Sequence, residues 1–533
     1  MKQYQDLLTH VLENGTPHED RTGVGTISVF GYQTRFDLRA GFPIVTTKRV
    51  PFRWVFEELA WFLQGSTSET ELRKRGVDIW AEWADENGEL GPIYGAQWRN
   101  WRQIDAVEPR RREYQPPKIE TAFDKNIAAD FSSNHNGLIG KEFASTTGKY
   151  TVIKEYKIPR PDAAGNRWEF DVKFEATGFV QNNCLKQAVV GGQIRDRYAP
   201  TSHNVGCLGE QVSREDYDLL YQTWNGMLAR CYDENHSGYE NYGAKGIFVD
   251  SRWLVFSDFV NDVKKLPNWL MKLEYKDEYS LDKDYYGSNC YSPDTCLWLS
   301  KLEQNLNTEK VGLIKATAPN GDVFVRMGIK TLCKEFNFTN PCVYSVLNGK
   351  TKTHRGWRFE RLDETKNPRI RVFDQVKQVI AQLKHDTNSR RIIISAWNVA
   401  ELEKMSLTPC HVLTNFRVYD GKLYCHLFQR SADAFLGVPF NISSYALLTH
   451  LIAHVCDLKV GEFVHTFNDL HIYSNHLEQV EELLKREPLP LPKLEFKDAE
   501  NLKDFEGLLN FKYENLNLRN YQSRGKIAAP VAV

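Results

Sequence analysis

The chain has 533 residues, 41% hydrophobic and 12% aromatic, which is enough apolar material for well-filled cores and, by length, about three or four domains. Its 68 Lys and Arg against 69 Asp and Glu leave a formal net charge of -1, excluding whole-surface polyanion binding and confining any nucleic-acid contact to a local patch. The 10 cysteines form no Cys-x-x-Cys pair, the N-terminus lacks an apolar signal core, and the best apolar run, 445–455, is broken by His450 and His454; these features predict a soluble, cytoplasmic protein with reduced thiols and no membrane partner.

Leu7, Leu8, Val11 and Leu12 have helical spacing, residues 26–30 read as extended, and 52–63 as a strongly apolar helix carrying Glu57 and Glu58. The character changes after Trp101. Arg110, Arg111, Arg112, Pro116 and Pro117 read as linker, and 124–140 is polar with little periodicity. Short extended segments such as 150–156 and 168–174 dominate as far as about residue 210. Helical spacing returns around Trp224, Leu228 and Cys231, then Phe256, Phe259 and Val263, and a further small unit follows at 311–361. The C-terminal part reads as a helix at 373–384, a strand at 391–396, paired strands over 411–430 and a buried helix at 442–456. The simplest parse is one domain split into 1–105 and 367–533, with a guest of three modules at 106–215, 216–310 and 311–366. A surface loop accepts such a guest when its two ends lie close together.

The chemistry concentrates in the outer segments. Cys410, between Pro409 and His411, is the candidate nucleophile, because a thiol attacks as thiolate and Arg430, Arg390 and Arg391 offer a positive field. A lone cysteine otherwise reads as a small buried hydrophobe. Arg21, Arg390 and Arg391 suit a phosphate clamp, or alternatively a solvated strand end. The Asn441 amide matches the N3–H and O4 edge of uracil, and equally suits a helix N-cap before Ile442. Glu58 in an apolar helix is either a working carboxylate or a partner for Arg53. Trp80, Trp83 and Tyr94 are either core aromatics or a wall for a stacked heterocycle. Together these residues suggest covalent chemistry on a pyrimidine nucleotide.

On these residues the outer segments resemble the folate-dependent, cysteine-nucleophile thymidylate synthases. The resemblance is carried by Asp20-Arg21-Thr22-Gly23, Thr46-Thr47-Lys48, Glu58, Ile79 and Trp80 through Trp83, Tyr94-Gly95, Pro409-Cys410-His411, Gln429-Arg430-Ser431, Pro439-Phe440-Asn441, His471-Ile472-Tyr473-Ser474-Asn475-His476 and the final Ala-Pro-Val-Ala-Val. It implies a mixed α/β fold whose large sheet packs against a second copy in a homodimer. The implied reaction turns dUMP into dTMP with 5,10-methylenetetrahydrofolate as cosubstrate. Cys410, Glu58, Asn441, Tyr94 and Asp433 would be catalytic. Arg21, Gln429, Arg430, Ser431, Asn441, His471 and Tyr473 would hold dUMP, with Arg390 and Arg391 reaching the other subunit's site. Ile79, Trp80, Trp83, Asp433, Leu436, Gly437, Phe440 and Ala532 would hold the folate. Pro51 and Ala432 stand where that family often carries histidine and cysteine. The nearest competing reading is a dUMP hydroxymethylase.

The guest resembles HNH-type endonucleases carried by phage genes and mobile introns. Trp224, Arg230-Cys231-Tyr232, Tyr239 through Ile247, Trp253, Asp282 and Asn305 carry that likeness. Asp282 and Asn305 would face a Mg²⁺ ion. The motif is degenerate, without a general-base histidine in place, so a folded but catalytically inactive insert is the alternative. Residues 311–361 resemble small appended DNA-binding modules, with Lys350, Lys352, Arg355 and Arg358 around Trp357 as a phosphate-tracking surface. Cys184 and Cys207 have poor zinc spacing and fit a structural β-unit better. The opposite weighting makes the chain primarily a DNA endonuclease with an inactive split synthase. A phage gene would place the protein in its host's cytoplasm.

Overall fold

A computed structural model describes the chain except for residues 21, 108, 120–122, 124–133, 160–164, 211, 308–312, 322, 362–367, 498 and 533. It divides into two units, a host of Met1–Gln103 with Arg371–Val533 and a guest of Ile104–Ile370.

The host is mixed α/β. Helix α1 (Lys2–Asn14) buries Tyr4, Leu7, Leu8 and Val11, a one-sided stripe at helical spacing, against strand β2 (Thr26–Asp37). The short β1 (Thr16–His18) edges the same sheet. Helix α2 (Phe52–Leu63) is the predicted apolar helix, and α3 (Tyr94–Asn100) packs beside it. After the guest come α4 (Gln375–His385), β3 (Ile393–Ser395), β4 (His411–Tyr419), β5 (Lys422–Asp433), α5 (Gly437–Val455), β6 (Lys459–Tyr473) and α6 (Leu477–Leu484). The six strands form one sheet in the order β1-β2-β6-β5-β4-β3. Only the β5–β6 pair is parallel; it needs a crossover, and α5 supplies it.

Helix α5 is buried nearly all round, as a core helix should be. Its hydroxyls turn inward: Thr449 Oγ1 donates to the Tyr445 carbonyl at 2.7 Å and Ser443 Oγ to the Pro439 carbonyl at 3.1 Å. The helix starts five residues before the expected 442, at Gly437. Pro439 is tolerated there because first-turn N–H groups have no intrahelical acceptor. Asn441 therefore lies inside α5 and is not its N-cap. Among the described residues no helix is long and apolar enough to cross a membrane.

In the guest, four antiparallel strands in the order Glu142–Ser145, Gly148–Pro159, Asn166–Phe174 and Val180–Leu185 cover a core that includes Tyr150, Phe170 and Phe174. Helix Asp218–Tyr232 follows, then small paired strands at Phe248–Val249 with Cys290–Tyr291 and at Tyr279–Asp282 with Leu297–Ser300. A three-stranded sheet, Val323–Met327, Leu313–Thr317 and Arg358–Arg361, packs with helices Ile329–Glu335 and Asn340–Leu347.

Residues 109–119 carry no helix or strand, in keeping with a linker, yet two of the three arginines are anchored: Arg112 ion-pairs with Asp250 at 2.6 Å and Asp294 at 2.8 Å, and the Arg110 guanidinium lies 3.7 Å over the Tyr286 ring. The polar stretch 124–140 falls largely outside the described residues. The strands by which the chain leaves and rejoins the host, Trp101–Ala106 and Pro368–Phe373, pair with each other as a two-stranded sheet.

Candidate active site

Cys410 ends the turn that leads into β4 and is half-buried. Its amide donates to the Tyr94 hydroxyl at 2.8 Å, and its carbonyl accepts from the Arg430 amide at 2.9 Å. The Arg430 side chain grips the same turn, with Nε donating to the Pro409 carbonyl at 3.0 Å and Nη2 to the Thr408 carbonyl at 2.8 Å. A cation is thus fixed one strand away from the thiol, the field a thiolate needs.

Tyr94 packs on Phe62, Trp80 and His411, with ring centroids 4.9, 5.8 and 5.3 Å away. Burial drives its phenol well above the ordinary range, so it stays protonated. Glu58 points from α2 into the same cluster. Its Oε1 accepts from the Trp80 indole N–H at 2.8 Å, while Arg53 and Arg75 pair with Glu57 instead. Burial raises the Glu58 carboxyl to about 7, with the Trp80 bond pulling the other way. A carboxyl near neutrality can both give and take a proton.

Asn441 projects from α5 toward β5. Its Oδ1 accepts from Gln429 Nε2 at 3.2 Å, and the same Nε2 donates to the Ser431 carbonyl at 3.0 Å. Gln429 Oε1 accepts from His465 Nε2 at 2.8 Å in a fully buried pair. This chain fixes which way both amides face. Burial lowers His411 to about 4 and leaves its Nδ1 without a hydrogen-bond partner among the described residues.

His471 and Tyr473, two residues apart on β6, project from the same side of the strand with rings 5.1 Å apart. Beside them the loop after β1 is folded on itself by Asp20, which accepts from the Thr22 hydroxyl at 2.7 Å and the Gly25 amide at 3.0 Å. That loop joins the end of β6 where the Ser474 amide donates to the Gly25 carbonyl at 2.9 Å. Arg21 itself lies outside the described residues. Arg390 and Arg391 are exposed between α4 and β3.

Asp433 closes β5 and organises the start of α5. Its Oδ1 accepts from the Phe435 and Leu436 amides at 2.9 and 3.1 Å. Although burial opposes it, the carboxyl is held below its ordinary range by His476 and these amides. Leu436, Gly437 and Phe440 are half-buried on the adjoining turn, and Ile79 is half-buried next to Trp80. Trp83 keeps a buried indole N–H with no partner among the described residues, a donor suited to a heterocycle. The tail carrying Ala532 is held where His476 Nε2 meets the Pro530 carbonyl at 2.7 Å.

The sequence reading gave no role to His465, His476 or Lys48. Lys48 is buried over the Phe435 ring at 3.9 Å and donates to the Phe435 carbonyl. Lys48 and His476 stand inside motifs already singled out, so their signal was present. His465 had none, since a histidine inside a strand gives no hint of its partner.

In the guest, Asp282 accepts from the Tyr285 amide at 2.7 Å, and Asn305 is exposed on helix Lys301–Leu306. Among the described residues no group of three or more His, Cys, Asp or Glu is gathered for a metal. Lys350, Lys352, Arg355 and Arg358 are exposed around Trp357, whose ring packs on Phe336 and Phe338 at 4.9 and 5.3 Å.

The family model described as thymidylate synthase matches residues 2–125 and 344–533, more than half of the chain. The match runs past both edges of the host, although strand Arg358–Arg361 pairs in register with Leu313–Thr317 and so belongs to the guest's own sheet.

Proposed function

Since the chain belongs to the thymidylate synthase family, whose members use methylenetetrahydrofolate to methylate dUMP, we propose that its split host unit carries out this reaction through a Cys410 adduct. The observation that carries the reading is the continuous set Cys410–Tyr94–Trp80–Glu58, linked by a hydrogen bond, a ring contact and a second hydrogen bond.

Cys410 Sγ adds to C6 of the pyrimidine, and the electron pair moves toward O4, where Asn441 donates. That addition makes C5 nucleophilic. The folate supplies the one-carbon unit and the hydride and leaves as dihydrofolate. Glu58, poised near neutrality, manages protons through water, and Tyr94 stands where the C5 proton must leave. Release of Cys410 restores the ring double bond. Arg430, Ser431 and Arg21 hold the phosphate, and His471 and Tyr473 hold the ribose. Gln429 orients Asn441. Ile79, Trp80, Trp83, Asp433, Leu436, Gly437, Phe440 and Ala532 form the folate side, and the Trp83 N–H, without a partner among the described residues, supports that assignment. The exposed guanidinium groups of Arg390 and Arg391 have no hydrogen bond or ion pair among the described residues, which supports their reaching into a second copy's site.

For the guest we infer a DNA-contacting role from the exposed cations around Trp357. A Mg²⁺-dependent nuclease centre would rest on Asp282 and Asn305 alone. Incubating the intact chain with Mg²⁺ and duplex DNA, with Asp282→Ala as control, tests it.

The deciding experiment for the host is dihydrofolate formation from dUMP and methylenetetrahydrofolate by the intact chain. Turnover that disappears in Cys410→Ser is the expected outcome. A 5-hydroxymethyl product would move the reading to the hydroxymethylase, and no turnover from folded protein would overturn the host assignment.

A further inference from the structure

His476 sits at the junction of three separate parts of the host. It is fully buried, follows the end of β6, and packs on the rings of Phe435 and Tyr473, each 5.6 Å away. Its Nε2 lies 2.7 Å from the Pro530 carbonyl oxygen. A carbonyl only accepts, so Nε2 must carry a hydrogen. Its Nδ1 is buried, has no hydrogen-bond partner among the described residues, and faces Asp433 Oδ1 at 3.7 Å.

Those two contacts determine which form of the ring fits. The neutral ring with hydrogen on Nε2 would aim the Nδ1 lone pair at a carboxylate. Adding a proton at Nδ1 converts that repulsion into a charge pair. We propose that His476 is a positioning residue that, doubly protonated, latches the C-terminal tail to Asp433, so that tail docking takes up one proton. The proposal rests on the synthase reading, in which Asp433 and Ala532 share the folate side.

The charged neighbours act in both directions, and the net sign is upward. Burial alone would lower the His476 pKa; Asp433 and the Pro530 carbonyl outweigh it, and the net direction is upward, with Lys48 opposing. Lys48 is itself lowered to about 8 by burial, so its opposition fades in alkaline solution. Tyr4, also near Asp433, stays neutral because burial raises its phenol well above the ordinary range. The docked state therefore holds a proton that the released state gives up, and docking weakens as pH rises through the raised His476 value.

The test is the rate at which a carboxypeptidase trims the tail of the full chain, relative to a free peptide of residues 526–533, from about pH 6 to about pH 9. The peptide removes the protease's own pH dependence. In the wild-type chain we expect protection to fall several-fold across that range. His476→Gln, which keeps one donor but cannot titrate, should show protection that does not vary with pH. Asp433→Asn should move the wild-type transition to lower pH. The KM for methylenetetrahydrofolate should rise with pH in the wild type and stay flat in His476→Gln. Flat wild-type protection, or the same slope in all three proteins, would overturn the latch. Should the chain make no dihydrofolate at all, the synthase reading fails while the trimming ratios still decide the latch.

Discussion

Arg99 and Asp374, 275 positions apart in sequence, meet at 2.8 Å between Nε and Oδ2, one just before the guest and the other just after it. The bond joins α3 to the start of α4 and stitches the two host segments at the point of interruption. Asp374 also caps α4 through the Lys377 amide at 3.0 Å. Removing one partner of a largely buried pair costs about 3–5 kcal/mol. Asp374→Ala should therefore destabilise the host strongly. Asp374→Asn, which keeps the cap, should be milder by about 1 kcal/mol, as read from urea midpoints.

Glu58 makes stability depend on pH. Between its ordinary 4.5 and its folded value of about 7, the folded chain keeps a proton that the unfolded chain has lost. Stability contributed by the neutral carboxyl is present at low pH and falls as pH rises across that window, with ~3 kcal/mol at stake. Glu58→Gln should flatten that fall in urea titrations and lower kcat by about 10²–10⁴-fold. Trp80→Phe removes the indole bond that favours the carboxylate, so the acid limb of the kcat profile should shift to higher pH.

Gln429→Met keeps the volume near Asn441 but deletes the donor that orients it. One hydrogen bond is worth about 0.5–1.5 kcal/mol, so kcat/KM for dUMP should fall by up to about tenfold. Because the change also strips buried His465 Nε2 of its acceptor, the host should lose about 1–3 kcal/mol of stability, read from urea midpoints.

Mixing two inactive variants tests the second-copy arrangement. Cys410→Ser lacks the nucleophile, and the double change Arg390→Ala with Arg391→Ala lacks the reaching cations. Hybrid dimers hold one intact site, so the mixture should regain part of the wild-type turnover after exchange. No recovery, with dimers confirmed by mass, would place the arginines outside any shared site.

In the guest, changing Lys350, Lys352, Arg355 and Arg358 together to Gln should weaken binding to duplex DNA of any sequence. It should also flatten the salt dependence, by close to one unit of slope for each phosphate that is no longer neutralised. Dihydrofolate formation should be unaffected.

Much of the host was legible because its pattern is simple. α2 is apolar enough to be placed to the residue, and in α1 the spacing picks out Leu7, Leu8 and Val11, although the buried stripe runs on to Tyr4 and not to Leu12. β6, the long strand at the centre of the sheet, escaped notice because buried His465 and His471 interrupt its apolar alternation. Periodicity scores such residues as polar, whereas here His465 is buried with its Gln429 partner. The start of α5 was misplaced because Pro439 reads as a stop, although in a first turn it costs little. Glu58 was visible as an acid in an apolar helix, but only folding showed Trp80 rather than Arg53 as its partner.

The paired strands at the neck, Trp101–Ala106 with Pro368–Phe373, also bear on how the chain is made. A ribosome finishes α1, α2 and α3 long before it reaches Asp374 or the central strands. At about 5–20 residues per second, the first host segment waits on the order of tens of seconds while the guest is synthesised. During that delay the apolar face of α2 lacks α5, the helix it packs against, so chaperone demand should scale with the length of the guest. Once the neck pairs, the second segment is delivered next to the first, and the host completes itself much as an uninterrupted chain would.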